Sequence, residues 1–566
     1  MVKKDLGPYL RSIMGIWLIS MHDHDREVAK AATDAFFTAF STEEKRSKAL
    51  SYCETQILDQ LISNFQLTVQ TLSDSKAASQ SESEERYNRY ISSSIDALTY
   101  LVKNTNLTGN VKCRELTTNK NFWKFLTIKN FGEIRASTFK LVATVSTVSP
   151  ELIEPILDSV SPLVLGCFNE VNPVVHESMI LSLISFMKQF PSAWNYVKPW
   201  KAIFPRLWTF LKNPENSSPS KTFQTLLPFV SLLSFDVMGG SNENSFKFFD
   251  QFLNNMWTGY LSDRIQASER QIIFHTFTEI CMYSLLQAKK YIVTSDSDEN
   301  SDENDNDAAI QLFISNTFRN HFEKAVKYYL TSEQVPREEQ ASQSLSTALH
   351  KFMDREQMNR VMRVFWTEEL LQFAITNLSN VPNQQIFSER LYRLMKDLCS
   401  FDDQIVLNSE PYLSFASQLF HHCLDQSLTI TSNDCSNNVN LMGDTMIYVL
   451  TASRICDVVP LDKLIALRQQ QRESSDYTPE QFYHRYVVEL FNRFLKLLDG
   501  TNAKLAKNLI SSLYDIVAQF FKSYAEQFSL FNAIIDPLVE KPQLLYSLIT
   551  SVYTVQQEKG KLRNEQ

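Results

Sequence analysis

The sequence predicts an all-α protein, built as an elongated solenoid of stacked helical hairpins. Apolar residues recur along most of the chain at steps of three and four, which is the pattern of amphipathic helices. Glycine is scarce, at 11 of 566 residues, whereas sheet turns and phosphate-binding loops usually require it. Hydrophobic residues make up 44% of the chain, which suffices for a core that grows along one axis.

The unit that later segments repeat lies near the amino terminus. Between Asp23 and Phe40 an acidic start precedes an apolar stripe, and Asp23 or Asp25 can accept hydrogen bonds from the first helical turn. The stretch from Leu6 to Trp17 carries a second apolar stripe. Two such helices joined by a short polar turn form a HEAT/armadillo-like hairpin, which must stack on others to bury its apolar faces.

Further hairpins follow in order along residues 1–294. The spacing from Ile134 to Val175 matches the repeat period of about 40–47 residues. We predict a surface loop over residues 71–85, because this stretch is polar, serine-rich and aperiodic. Helical repeats resume over residues 308–556, and residues 557–566 form a polar tail. Residues 295–307, between the two halves, are acidic and contain no apolar residue, so we expect a disordered loop there.

Charge and cysteine content restrict the class of protein. The net charge of −9 argues against nucleic-acid binding over the whole surface, so that such a surface must be local. The eight cysteines are scattered without any C-x2-C pair, which favours a reducing compartment over a disulfide framework. No apolar run reaches the roughly 18 residues that a membrane span needs.

The sequence offers little for catalysis. The cluster from His22 to Asp25 is the most metal-like, but its position at a helix start favours capping over metal binding. His421, His422 and Cys423 are interpreted as helix surface followed by a core thiol. Glycine-rich phosphate loops and the G-x-S-x-G elbow are missing from the sequence. We therefore predict no catalytic, cofactor-binding or metal-binding residues.

Four segments resemble the N-terminal domain of listerin, the RING-type E3 ubiquitin ligase family of ribosome-associated quality control. They are LGPYLRSIMGIWLIS, the helix from Asp23 to Phe40, TLSDSKAAS and EERYNRYISSS. The resemblance is dense over residues 1–102 and sparse afterwards. The family usually has more helix before the position of Met1, which is consistent with a truncated chain. The family ends in a RING domain, but this chain lacks the C-x2-C pairs that hold two zinc ions, so we expect no catalysis from these residues alone.

A local basic region follows the segments of strongest resemblance. Eight basic and two acidic residues lie between Lys103 and Lys140, with Phe122, Trp123 and Phe125 interleaved. This region is interpreted either as a phosphate-binding patch or as a solvated face whose aromatic residues belong to the core. The candidate contact residues are Arg11, Arg26, Lys30, Asp74, Lys76, Lys112, Arg114, Lys120, Lys124, Lys129 and Arg135.

The resemblance implies a ribosome-docking role in the cytosol. In that family the domain grips the large (60S) ribosomal subunit carrying an obstructed nascent chain, and it meets the tRNA- and subunit-binding cofactor of the same complex. The distant RING domain, which recruits the ubiquitin-conjugating enzyme, then ubiquitinates the chain. We expect a monomer without cofactors or membrane contact. The alternative is a generic HEAT-repeat adaptor or a transport-receptor-like scaffold, which would bind a small GTPase and hydrophobic peptides.

Overall fold

The computed structural model describes most of the chain as helix. It covers residues 7–72, 79–292, 303–335, 337–379, 383–401, 403–432, 439–471, 478–498, 503–539, 541–550 and 552. Contacts divide the chain into two compact units, residues 1–280 with 289–301 (unit 1) and residues 281–288 with 302–566 (unit 2). Within these described ranges no strand occurs. No described helix is long and apolar enough to cross a membrane.

The first half of the chain folds as successive hairpins whose second helices stack on one another. Helix α5 packs against α7, and α7 against α9, while α1 and α3 pack on each other at the start of the array. The helices are α1 (Leu10–Ser20), α2 (Arg26–Ala39), α3 (Glu43–Phe65), α4 (Val69–Leu72), α5 (Gln80–Asn104), α6 (Val111–Thr118), α7 (Gly132–Val148), α8 (Leu157–Leu165), α9 (Pro173–Gln189), α10 (Phe204–Lys212), α11 (Pro219–Thr222), α12 (Leu226–Leu232), α13 (Asn242–Tyr260), α14 (Ala267–Leu286) and α15 (Ala288–Tyr291).

Unit 2 repeats the arrangement, which confirms the predicted all-α helical-repeat solenoid. Helices α18, α21, α24 and α28 stack in one layer. The helices are α16 (Glu303–Thr317), α17 (Lys324–Thr331), α18 (Glu338–Met353), α19 (Asn359–Val364), α20 (Leu371–Leu378), α21 (Gln384–Cys399), α22 (Asp403–Leu407), α23 (Glu410–Ser432), α24 (Val439–Val458), α25 (Leu461–Gln471), α26 (Pro479–Phe482), α27 (Glu489–Lys496), α28 (Ala503–Ser523) and α29 (Asn532–Ile535), followed by a helical stretch over residues 542–550.

Side-chain caps start many of the helices in unit 1. Asp25 accepts from the backbone N–H groups of Glu27 and Val28, as the sequence predicted for this hairpin. Asn110 and Asn172 cap α6 and α9 in the same manner. Because each cap satisfies an N–H group that has no partner within the helix, it is worth about 1 kcal/mol of stability.

The predicted loop over residues 71–85 is shorter than the sequence suggested. Helix α4 extends to Leu72, and α5 begins at Gln80, so residues 80–85 are helical. The reason is a capping box, in which the Ser79 hydroxyl accepts from the N–H group of Glu82 at 3.3 Å while the Glu82 carboxylate accepts from the N–H group of Ser79 at 2.8 Å. The remaining part of the predicted loop, residues 73–78, lies outside the described residues.

The predicted acidic loop is likewise shortened from its carboxyl end. Helix α16 begins at Glu303, so residues 303–307 are helical rather than loop. Acidic residues are favoured in the first turn of a helix, near the positive end of its dipole. Residues 295–302 and the predicted tail over residues 557–566 lie outside the described residues.

Candidate functional site

Three consecutive serines of α5 bind the neighbouring elements of the first hairpin. The Ser93 hydroxyl donates to the His22 carbonyl oxygen at 2.8 Å. The Ser92 hydroxyl lies 2.9 Å from Nε2 of His24, and the Ser94 hydroxyl accepts from the amide of Asn64 on α3 at 3.0 Å. The run of serines in the most specific part of the family resemblance therefore holds the turn between α1 and α2, and the end of α3, against α5.

The same contacts account for the cluster from His22 to Asp25. Asp23 accepts from Nε of Arg89 at 2.9 Å, while Asp25 caps α2. Burial lowers the pKa of His22, and the nearby Asp96 carboxylate opposes that shift. No group of three or more metal-binding side chains was found where the chain is described. Asp23, His24 and Asp25 are accounted for by capping and hydrogen bonding, whereas the buried Nε2 of His22 has no hydrogen-bond partner among the described residues.

Several lysines of the predicted basic region are paired with carboxylates. Lys112 pairs with Asp59 on the neighbouring α3, and Lys120 pairs with Asp158 at 2.8 Å. Lys140 lies 3.9 Å from Asp96. These pairs are largely exposed, so each contributes little stability, but they lower the local positive charge.

The interleaved aromatic residues belong to the core. Phe122 and Trp123 are buried, and the Trp123 indole N–H donates to the Thr117 carbonyl at 2.7 Å. Phe125 is half-buried and packs against Phe65, with ring centroids 6.1 Å apart. Phe122 and Trp123 are therefore unavailable for stacking on a base, whereas Phe125 keeps part of its side chain exposed.

Arg135 is also an interior residue, so its prediction as a surface contact is wrong. It is 5% exposed, and it donates to both carboxylate oxygens of Glu170 at 2.6 and 2.7 Å. Its guanidinium also donates to the Asn130 carbonyl. Burial raises the pKa of Glu170, but hydrogen bonds from Arg135 and from the Asn172 N–H group outweigh it, so that the pKa is lowered overall. Arg135 thus joins two successive turns of the array.

The turn that Arg135 supports presents two exposed lysines, Lys124 and Lys129. Neither has a carboxylate partner among the residues that the structure describes. The Lys124 carbonyl accepts from the N–H group of Thr127 at 3.0 Å and from the Asn130 amide at 2.8 Å. These two hydrogen bonds close the turn that carries both lysines.

A third lysine, Lys221, lies on the same side of unit 1. Its ammonium group is 3.4 Å from the Pro173 carbonyl, at the start of α9, and its side chain is exposed. The Arg135–Glu170 pair joins the turn before α7 to the turn before α9, and Lys221 contacts the start of α9. The three lysines therefore lie along one edge of the stacked hairpins. We call Lys124, Lys129 and Lys221 the turn-edge lysines. Sequence analysis missed Lys221, since no local charge excess surrounds it.

Lys103 lies toward the other end of the hairpins, and the Arg114 guanidinium donates to the Thr108 carbonyl at 3.0 Å. Two contacts mark opposite ends of α3. Near its start, the Ser47 hydroxyl donates to the Asn104 carbonyl at the end of α5 at 2.9 Å. At its end, Phe65 packs against Phe122. Ser47 and Phe65 are 18 residues apart on α3, which is about 27 Å along a helix. The predicted basic region is therefore divided between two edges.

The remaining candidates are placed as follows. Arg11 stacks over the Tyr52 ring at 4.3 Å, so its charge is already engaged in a cation–π contact. Arg26 and Lys30 are exposed on α2. Asp74 and Lys76 lie outside the described residues.

His421 and Cys423 of unit 2 are buried in the core. His421 is 4% exposed and its Nδ1 lies 2.8 Å from the Ser417 carbonyl, so the prediction that it lies on a helix surface is wrong. Burial raises the pKa of the Cys423 thiol well above its usual range. In unit 1, burial raises the pKa of Cys113 and of Cys167 to about 12. Such thiols stay protonated and unreactive at neutral pH.

Comparisons with known proteins find similarity over the first part of the chain. Residues 1–233 match the family model described as "E3 ubiquitin-protein ligase listerin, N-terminal domain". Listerin of Gallus gallus is 30% identical over 293 residues, and listerin of Mus musculus is 29% identical over 293 residues. Each alignment covers 50% of this chain and 16% of the relative, so the chain matches only a small part of the relatives' length.

Solved structures give more distant likenesses. The karyopherin Kap121p bound to the SUMO protease Ulp1p is 12% identical, with a TM-score of 0.41, and the alignment covers 99% of this chain and 55% of that chain. The Rif1 N-terminal domain from Saccharomyces cerevisiae is 10% identical with a TM-score of 0.26, covering 98% of this chain and 79% of that one.

Proposed function

Because residues 1–233 match the family model of the listerin N-terminal domain, we propose that this chain is the ribosome-docking domain of a listerin-type E3 ubiquitin ligase. In this proposal it binds large (60S) ribosomal subunits that carry an obstructed nascent chain, in the cytosol. The match over residues 1–233 is the observation that carries the proposal.

In this proposal the chain places the ligase on the ribosomal subunit and does not itself catalyse ubiquitination. Binding the subunit holds a distant RING domain near the nascent chain, and this raises its effective concentration there without any new contact to the substrate. The nascent chain is then ubiquitinated and degraded. The tRNA- and subunit-binding cofactor of the same complex is the second proposed partner.

The turn-edge lysines supply a surface for ribosomal RNA. Their ammonium groups are exposed, and the turn that carries Lys124 and Lys129 is held by Arg135 and by its own backbone hydrogen bonds. Exposed lysines on a fixed backbone can contact phosphates with little ordering of the chain. Unlike Lys112 and Lys120, these lysines have no carboxylate to displace among the described residues.

Sedimentation with purified ribosomal particles tests the proposal. Residues 1–566 should pellet with isolated large subunits, and much less with intact monosomes, because the joined small subunit covers part of the binding surface. A chain that stays in the supernatant with large subunits at low salt would contradict the proposal. Equal pelleting with large subunits, monosomes and naked RNA would indicate non-specific charge attraction instead.

A further inference from the structure

Three helical elements of unit 2 are interrupted by a π-turn in the described part of the chain, one of them at Tyr483–Val488 between α26 and α27. The other two π-turns pack against each other. The first π-turn, Phe318–Glu323, joins α16 to α17, and the second, Phe365–Leu370, joins α19 to α20. Each begins with a phenylalanine, and the two rings meet edge to face with their centroids 5.2 Å apart. Single π-turns within helices are rare and occur frequently at functional sites.

A groove of about 580 Å³ lies between these two elements. Phe318, Phe365 and Val361 are buried beneath it, and Val364 is half-buried. Leu312 on α16 lines it and is 57% exposed. The volume falls within the range of about 300–1,000 Å³ that is typical of binding sites. The polar side chains of Gln311, Ser315 and Asn316 also line the groove. The groove therefore has an apolar floor beside a polar wall, and one large apolar side chain remains open to solvent.

Charge on the rim of the groove is uneven. Glu323 pairs with Lys327 at 2.6 Å, and Glu369 pairs with Arg319 at 3.1 Å and with Lys327 at 3.5 Å. The two carboxylates of the rim are thus already neutralised. Arg360, by contrast, is exposed at the rim and has no carboxylate partner in the described part of the chain. The rim therefore carries an uncompensated positive charge beside an apolar floor.

We propose that this groove docks a short peptide segment of a partner protein, with an apolar side chain that packs on Leu312 and a neighbouring carboxylate that pairs with Arg360. A peptide fits the open groove better than a small molecule, because the apolar floor and the cation lie side by side along the two elements. The inference concerns unit 2, so it does not rest on ribosome docking through the turn-edge lysines.

Selection from a random 12-residue peptide library displayed on phage tests the groove. Residues 1–566 serve as the target, and the binding of synthetic versions of the enriched peptides is then measured by fluorescence anisotropy. We expect enriched peptides to combine Asp or Glu with Leu, Met or Phe. Their affinity should fall at least 10-fold with R360E and with L312D.

The matched control is R363E, on the same helix α19. Arg363 is 64% exposed at its side chain and pairs with Glu410 at 2.9 Å, and it does not line the groove. Peptide affinity should change less than 2-fold in this variant, and all three variants should keep the circular dichroism and melting temperature of the parent. Failure to enrich any acidic, apolar peptide would overturn the proposal. Enriched peptides that bind the parent, R360E and L312D equally would also overturn it.

Discussion

The Ser93 hydroxyl donates to the His22 carbonyl oxygen at 2.8 Å, across 71 positions of sequence. Ser93 is 2% exposed and His22 is half-buried, so the hydrogen bond is partly shielded from water. The contact fixes the turn between α1 and α2 on the face of α5. It gives a physical reason for a serine at this position of the family resemblance.

The change S93A should destabilise unit 1 by about 1–3 kcal/mol, because it leaves a partly buried carbonyl without its donor. Denaturant unfolding followed by circular dichroism measures the effect. Ser81, exposed on the same helix, provides the matched control, and S81A should change the free energy of unfolding by less than about 0.5 kcal/mol. Equal midpoints for S93A and S81A would show that the hydrogen bond contributes nothing.

The buried pair of Arg135 and Glu170 should be sensitive to removal of one partner. The change R135M leaves the Glu170 carboxylate buried without its cation, and we expect a loss of about 3–5 kcal/mol. The double change R135M/E170L removes both charges and should recover much of that loss. If R135M alone were as stable as the parent, the pair would not be a structural link between the two turns.

The same pair predicts a dependence of stability on pH. The pKa of Glu170 is lowered in the folded state, so its contribution is complete above the unfolded pKa of about 4.3. The contribution is lost as the pH falls through the lower, folded pKa. Thermal unfolding between pH 7 and pH 3 should therefore show a smaller loss of stability for E170Q than for the parent. Parallel curves for the two proteins would contradict this assignment.

Residues 73–78 are expected to contribute to subunit binding, because they include Asp74 and Lys76 within the segment of most specific resemblance. Replacement by a Gly/Ser linker of equal length should weaken binding to large subunits while leaving the melting temperature nearly unchanged. The replacement must stop before Ser79, whose capping box starts α5. Unchanged affinity in a titration with purified subunits would remove this segment from the interface.

Local features of the fold were readable from the sequence, whereas contacts between distant residues were not. The cap at Asp25 follows from its position before an apolar stripe. The pattern Ser79-x-x-Glu82 is equally local, but it was obscured by the serine-rich stretch around it. The burial of Arg135 depends on Glu170, which is 35 residues away, and no local pattern reports that pairing. The π-turns at Phe318 and Phe365 leave the apolar periodicity nearly intact, so this periodicity does not distinguish them from α-helix.

The basic region shows the same limit for the candidate site. Counting charges between Lys103 and Lys140 gives a local excess, but carboxylates from other hairpins neutralise Lys112 and Lys120. Lys221 comes to the edge only because the turns stack. Which charges stay exposed depends on how the hairpins pack. The sequence spacing gives the repeat period of the hairpins but not their packing.

The affinity for purified large subunits, titrated at three or more salt concentrations, tests the central claim most directly. The parent is compared with K124E/K129E/K221E and with the control K188E/K198E/K201E, whose lysines are exposed elsewhere in unit 1. Each lost phosphate contact lowers the slope of log affinity against log salt by about 0.7–0.9, so the turn-edge variant should lose about 2–3 from the slope as well as affinity. The control should keep the parent's slope. Equal affinities and equal slopes for all three proteins would contradict docking through the turn-edge lysines.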